Sequence, residues 1–437
     1  MISFVLLSTF RNFAAKSYKH KQIKMNIKYF LLTAFVGLCS FSACGDDDDE
    51  PSVPNKPEIV ETPDTTSTQP KDTTTVQPTQ PDTPLSESRY VGGDISMLTQ
   101  YEAQKAQYFD RDGKAINNLI TFLKEQGWNT MRVRLFVDPS KDSDRGVCQD
   151  LEYVKKLGKR IKDAGLSLLL DFHYSDTWAD PAKQWTPAAW AQLSDAQLSE
   201  QLYNYTKDCL SQLNAAGATP DFIQTGNEIS YGMLWGTEQA AAKNDKNRCY
   251  INGSAANWNR FIGFLKQAGK ACREVCPKAK IIIHSERTPE PSILTDFFDR
   301  MKSAELDYDI IGLSYYPYFH GSLDALETAI TQLKAKNYGK QIQIVETGYP
   351  TVWEMPGTTY DYTPVYPYTA EGQRNYTAAL VTLLKKYNIV NGLSWWYPEA
   401  NAYGATGNLK DGWYNAGLFD NKTGRALPAL YELNNFQ

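Results

Sequence analysis

Thr130-Met131-Arg132-Val133-Arg134-Leu135-Phe136 opens a stretch that continues with apolar residues at Leu151, Val154, Leu157 and Ile161, then Gly165, then Ser167-Leu168-Leu169-Leu170-Asp171-Phe172-His173. The two outer runs are short, apolar and branched, which predicts strands. The spacings of three and four between them place one apolar stripe on a helix, and Gly165 stops it. The stretch is therefore one strand–helix–strand unit, the building block of a parallel sheet.

The unit recurs in both directions. Strands are predicted at Tyr90–Ile95, Thr130–Phe136, Ser167–His173, Phe222–Asn227, Lys280–Ser285, Asp309–Tyr315, Gln341–Glu346 and Gly392–Trp396. Ile116, Leu119, Ile120 and Leu123 form a further helical stripe closed by Gly127, and Leu380, Leu383 and Leu384 belong to the helix before the last strand. Eight units over about 350 residues fit an α/β fold of the (β/α)8 TIM-barrel type with enlarged loops. The rival, a doubly wound open sheet, lacks the glycine-rich phosphate loop that would follow its first strand.

Before about residue 88 the character changes. Residues 27–43 read as a secretory leader: Lys28 supplies positive charge, and the apolar stretch 29–41 is too short for a comfortable membrane span. It ends in Phe41-Ser42-Ala43-Cys44, which resembles a bacterial lipoprotein processing site. Residues 1–43 are thus expected to be a signal peptide, with Met25 as an alternative start, and Cys44 to carry the lipid. The acidic run 45–50 resembles the surface-export signal of some Gram-negative lipoproteins. The expected location is the cell surface, anchored to the outer membrane. The competing reading is a plain cleaved signal peptide with Cys44 merely nearby. Residues 51–86 are rich in Pro, Thr, Asp and Gln and cannot bury enough surface to offset the entropy of ordering. Residues 44–86 are therefore read as a lipidated, disordered tether and residues 87–437 as the folded domain.

A net charge of −5 argues against nucleic acid as a partner, because phosphate binding needs a basic face. The 27 Tyr, 18 Phe and 10 Trp suit a sugar-binding surface, although most must fill the core. Beyond Cys39 and Cys44, five cysteines remain: Cys148, Cys209, Cys249, Cys272 and Cys276. Their spacing is not that of a metal site, and buried thiols or one or two incidental disulfides are expected.

In a barrel the active site lies at the C-terminal ends of the strands. Here those ends carry Arg132 and Arg134, Asp171 to Tyr174, Gly226-Asn227-Glu228, His284-Ser285-Glu286, Ser314-Tyr315-Tyr316-Pro317, Glu346-Thr347 and Trp395-Trp396-Tyr397. One polar strand end is commonly a cap; seven of eight call for a cleft. Glu228 and Glu346 follow the fourth and seventh strands, which face each other across a barrel. Glycoside hydrolysis needs such a pair: one carboxyl protonated to assist the leaving oxygen, the other ionised. A retaining enzyme holds them roughly 5–5.5 Å apart. The plainer reading pairs one Glu with Arg134 alone. Trp178, Trp185, Trp190, Trp235, Trp395 and Trp396 fall in or near the loops above the barrel and suggest an elongated sugar groove.

These residues resemble glycoside hydrolase family 53, the endo-β-1,4-galactanases of clan A. The resemblance rests on Gly92-Gly93-Asp94-Ile95-Ser96, Met131-Arg132-Val133-Arg134, the run Asp171 to Pro181, Gly226-Asn227-Glu228-Ile229 with Gly232-Met233-Leu234-Trp235, Ser314 to Pro317, Val345 to Pro350, and the closing segments Gly417 to Asp420 and Ala426 to Leu430. It covers nearly the whole folded part. It implies an endo-acting, retaining hydrolase of β-1,4-galactan, with Glu346 as nucleophile and Glu228 as acid/base. It further implies that Asn227 binds the sugar 2-hydroxyl, Tyr316 orients Glu346, Trp396 stacks on the reacting sugar, and Arg134, His173 and His284 support the carboxylates. Asp176, Trp178 and Trp395 complete the expected substrate-binding set. The implied partners are galactan and galactooligosaccharides, met by a monomer.

The chain departs from that pattern. His284 is followed by Ser285-Glu286-Arg287 where an Asp-Asn or Ala-Asn pair is usual, and Trp396 by Tyr397 where a Glu is usual; both changes fall near sugar subsites and bear on chain-length preference and product size. No cofactor is expected. The loop 351–364 lacks the acidic pattern that binds calcium in several bacterial members, so a structural calcium ion finds no support there; Asp411 is the other position considered. The polar insertion 237–256 has no assigned role. A same-clan mannanase or cellulase would carry the same Glu pair, a non-catalytic glycan-binding lipoprotein would not need it, and an adhesion protein would leave the strand ends unexplained.

Overall fold

The computed structural model describes residues 88–437, apart from 143–144, 242–245, 252–254 and 408–413. The leader, Cys44, the tether and Asp411 lie outside the described residues.

Eight parallel strands close into a barrel: β1 (Tyr90–Asp94), β2 (Thr130–Leu135), β3 (Ser167–Phe172), β4 (Phe222–Thr225), β5 (Lys280–Ser285), β6 (Ile310–Tyr315), β7 (Gln341–Thr347) and β8 (Val390–Trp396), with β8 pairing back onto β1. The expected barrel is the observed one, and strand ends shift by two residues or fewer. β4 stops at Thr225 because Gly226 turns the chain with φ +110°. Helices fill the gaps, and their starts are written in the sequence. Asn118, Asp150 and Thr369 each accept a backbone N–H of the first turn, and Ser194 forms a capping box with Gln197. One expectation needs correcting: Ile116 belongs to a two-stranded hairpin (Tyr108–Phe109 with Ala115–Ile116), and the helix begins after the Asn118 cap at Leu119.

Most of the core lies between the barrel and its helices. Val154, Leu157 and Ile161 of the helix Leu151–Asp163 are wholly buried there. A second, small cluster of Leu169, Phe222, Ile282, Ile310 and Val345 fills the inside of the barrel. The five cysteines are buried and unbridged, which settles the choice left open by their spacing. Among the described residues no helix is long and apolar enough to cross a membrane.

Candidate active site

Residues two apart on a strand share a face. The apolar plug residues Leu169, Phe222 and Ile282 are therefore followed, toward the C-terminal ends, by inward-facing Asp171, Gln224 and His284. Arg132 of β2 ties this polar layer together. Its Nη1 donates to Asp94 Oδ2 at 2.8 Å. Its Nη2 lies 2.9 Å from Asp171 Oδ2, 2.9 Å from Asn227 Oδ1 and 2.8 Å from Glu346 Oε1. Burial disfavours a charge here, but the carboxylates of Asp171, Glu346 and Asp94 more than offset it, so Arg132 stays cationic. Despite its own burial, Asp171 is held below the usual carboxylate range by Arg132 and by His173, whose Nε2 lies 3.0 Å away.

Glu346 reaches the layer through a register shift. Leu313 of β6 pairs with Ile344, but the next residue, Ser314, pairs with Glu346, so Val345 is an extra residue in β7. Such a bulge re-aims the side chain that follows it. Glu346 Oε2 accepts a hydrogen bond from the Tyr316 hydroxyl at 2.9 Å.

Glu228 is placed by backbone strain. Its own φ is +47°, in the left-handed region, and it follows Gly226 at φ +110°, where a Cβ would lie 2.7 Å from Ile229 Cγ2. A short relay then fixes its carboxyl. The backbone N–H of Glu228 donates to His284 Nδ1 at 3.2 Å, so the ring proton sits on Nε2, 2.9 Å from Ser314 Oγ. The Ser314 hydroxyl donates in turn to Glu228 Oε1 at 2.7 Å. Burial pushes the His284 pKa well below its ordinary value, and nearby Arg132 adds to this; the ring is neutral, as the relay requires.

The two carboxyls differ in support. Burial raises both. Glu346 rises only to about 7, because Arg132 and the Tyr316 hydroxyl favour its ionised form. Glu228 rises well above the usual range through burial and the negative charges of Glu346 and Glu286, with only Ser314 opposing. The first proton leaves Glu346, and that charge holds the second on Glu228.

Both open into a cleft of about 590 Å³ that Asn227 also lines. Trp178, Trp396 and Tyr397 contribute one part of the wall; Glu286, Phe319 and His320 contribute another. Trp178 packs 5.9 Å from Trp396, centroid to centroid, and covers the Arg134 guanidinium at 4.4 Å.

Several expected residues sit elsewhere. Arg134 does not touch the carboxyls; it binds Asp94, the Gly146 carbonyl and, at 2.9 Å, the Tyr397 hydroxyl. It faces inward like Arg132 but one pleat nearer the rim, out of reach of Glu346. His173 acts on Asp171 and on the Ala179 N–H, which donates to its Nδ1 at 3.0 Å. Asp176 accepts the backbone N–H groups of Asp138 and Ala188, joining two loops outside the cleft. Trp395 is fully buried, its Nε1 donating to the Ala416 carbonyl, and Trp190 and Trp235 are packing residues too. Arg132 and Ser314 were not expected as site residues, and Glu286 and Tyr397 only as changes near sugar subsites, although each stands at a strand end; strand alternation alone would have turned Arg132 inward.

The loop 351–364 is pinned by Asn415. Its Oδ1 accepts from the backbone N–H groups of Thr351 and Val352 and its Nδ2 donates to the Trp353 carbonyl. Among the described residues no group of three or more His, Cys, Asp or Glu is arranged to hold a metal ion.

A solved family 53 catalytic domain from Ignisphaera aggregans matches with a TM-score of 0.69 at 32% identity, covering 81% of this chain and 98% of that one. A structure described as a fungal β-1,4-galactanase matches with a TM-score of 0.65 at 30% identity, covering 80% and 99%. The arabinogalactan endo-β-1,4-galactanase of Cellvibrio japonicus is 33% identical over 356 residues, 78% of this chain and 89% of that protein. The model of glycosyl hydrolase family 53 matches residues 90–433, and with a cleft built around two unequally supported carboxyls the chain belongs to that family.

Proposed function

We propose that the protein is an endo-acting, retaining β-1,4-galactanase that cleaves galactan and the galactan backbone of type I arabinogalactan. The observation that carries the mechanism is the unequal support of Glu228 and Glu346 within one cleft. The substrate assignment draws on the family and on the names of its relatives in Cellvibrio japonicus and in fungi.

Glu346, ionised and aligned by Arg132 and Tyr316, attacks the anomeric carbon. Glu228 gives its proton to the glycosidic oxygen as that C–O bond breaks, and the leaving chain departs as an alcohol. The product is a galactosyl ester of Glu346. Glu228, now a carboxylate, takes a proton from water as the water displaces Glu346. The relay His284–Ser314 keeps Glu228 in one rotamer through both steps. Asn227, whose Oδ1 is fixed by Arg132, presents its amide to the 2-hydroxyl, and Trp396 offers a face for the reacting sugar.

We further propose that Cys44 carries a lipid that anchors the enzyme to the outer membrane, with residues 45–86 as tether. The lipoprotein-like run Phe41 to Cys44 supports this. A Cys44→Ala chain released from the membrane fraction supports the anchor; one that stays there overturns it.

Reducing-sugar release from linear β-1,4-galactan tests the activity, with Glu346→Gln as control. Mixed oligosaccharides from wild type and none from the variant are expected. Release from mannan or cellulose instead would keep the carboxyl pair and overturn the substrate. Galactan bound without release would make the chain a binding protein.

A further inference from the structure

We propose that Glu286 binds substrate on the leaving-group side of the scissile bond, accepting a hydrogen bond from a hydroxyl of the sugar that departs; this rests on the galactanase reading above. Glu286 follows β5, lines the same cleft as Glu228 and Glu346, and is only 7% exposed. The mechanism uses only its charge, which helps keep the proton on Glu228, and gives its carboxyl no contact with substrate.

Its carboxyl is held from behind. Oε1 accepts the Ser230 hydroxyl and lies 3.1 Å from Arg287 Nε. Arg287 is itself clamped: its guanidinium packs 4.1 Å over the Tyr231 ring, donates to Ser230 Oγ at 2.9 Å and pairs with Glu290. Burial raises the pKa of this carboxyl, opposed by Arg287, the Ser230 hydroxyl and the backbone N–H groups of Glu286 and Ser230, yet the buried Oε2 has no hydrogen bond of normal geometry. A buried acceptor without a donor costs about 1–3 kcal/mol. In a cleft wall that cost is relieved when a ligand hydroxyl arrives. A carboxylate suits the task, since a charged acceptor makes the stronger hydrogen bond to a sugar O–H.

The side follows from strand order. β5 adjoins β4, whose Glu228 serves the leaving oxygen, and it lies three strands from β8, which carries the Trp396 platform for the reacting sugar. Glu286 thus stands beyond the acid, where the departing sugar must lie. Its negative charge also helps keep the proton on Glu228.

The test compares Glu286→Ala and Glu286→Gln with wild type on two substrates. One is linear β-1,4-galactan. The other is nitrophenyl β-1,4-galactobioside, in which nitrophenol replaces the departing sugar. Measured below the basic limb of the pH profile, where Glu228 is protonated in every variant, loss of a hydrogen bond to a charged group predicts that kcat/KM on galactan falls by about tenfold or more beyond the fall on the aryl substrate. Equal losses on both substrates would assign Glu286 to the framework and overturn the proposal, as would no loss on either. The Gln variant, isosteric with Glu, decides the matter if the Ala variant misfolds. A wild type inactive on galactan but active on mannan or glucan overturns the substrate reading instead. The same pair of substrates, built on that glycan, then decides Glu286.

Discussion

Arg132 Nη2 lies 2.8 Å from Glu346 Oε1, and the arginine is wholly buried. The same guanidinium also holds Asp94 and Asp171, so three carboxylates share one cation. Arg132→Met leaves all three inside the barrel without it. Removing one partner of a buried ionic cluster costs about 3–5 kcal/mol, and the melting temperature at neutral pH should drop accordingly. Arg132→Lys keeps a point charge but loses the planar fork that reaches several partners at once. Arg132 lowers the Glu346 pKa, so weakening the contact raises it. Glu346 must be ionised to attack, and the acidic limb of the kcat/KM profile should therefore move to higher pH. A profile unmoved in Arg132→Lys would mean that Arg132 shapes the barrel without tuning Glu346.

Ser314 joins His284 to Glu228, and its removal should be felt in the step that needs the proton. Ser314→Ala takes away a hydrogen bond that favours ionised Glu228, so the basic limb of the profile should move up. The freed carboxyl also loses its fixed rotamer, and mispositioned acid/base catalysis costs roughly 10–100-fold. The loss should be large on galactan and small on an aryl galactoside, whose leaving group departs without a proton. Equal losses on the two substrates would show the relay to be structural support only.

The barrel was legible because its signals are local. Leu151, Val154, Leu157 and Ile161 repeat at helical spacing, and glycines close the helices. The carboxyl pair was legible because β4 and β7 must face each other once the barrel is granted. What stayed hidden depends on contacts between distant strands. Nothing local marks Val345 as the extra residue that re-aims Glu346; the shift exists only against β6. Choosing between Arg132 and Arg134 needs depth along the barrel, which alternation does not supply. Trp395 and Trp396 are adjacent in sequence, yet one is buried beneath the loop that holds Ala416 while the other lines the cleft.

Asn415 holds the start of the loop 351–364, and Pro356 of that loop lines the cleft. Asn415→Ala removes four hydrogen bonds to the loop backbone, leaving only the Thr351 contacts with the Asn415 carbonyl at that point. The melting temperature should fall, and KM for galactan should rise more than kcat falls, because the reacting carboxyls are untouched. Product chromatography should show a changed oligosaccharide length distribution. A variant with lowered stability but wild-type KM and products would show that this loop takes no part in binding.

Glu399 is a buried acid outside the proposed chemistry. Its Oε1 accepts the Met97 N–H at 2.9 Å, while Oε2 has no hydrogen-bond partner. Burial, reinforced by Asp94, pushes its pKa from 4.5 to about 8. The native state therefore keeps this proton between pH 4.5 and 8, whereas the unfolded chain releases it. Where the native state binds more protons, stability falls as pH rises. The cost of Glu399 is absent below pH 4.5, grows through that window and is complete above it, reaching on the order of a few kcal/mol. Glu399→Gln stays neutral in both states and escapes that cost. The variant should melt close to wild type at pH 4 and clearly above it at pH 8, with the gap opening in between. A gap of constant size at both pH values would mean that packing around the amide, and not the titration of Glu399, sets the difference.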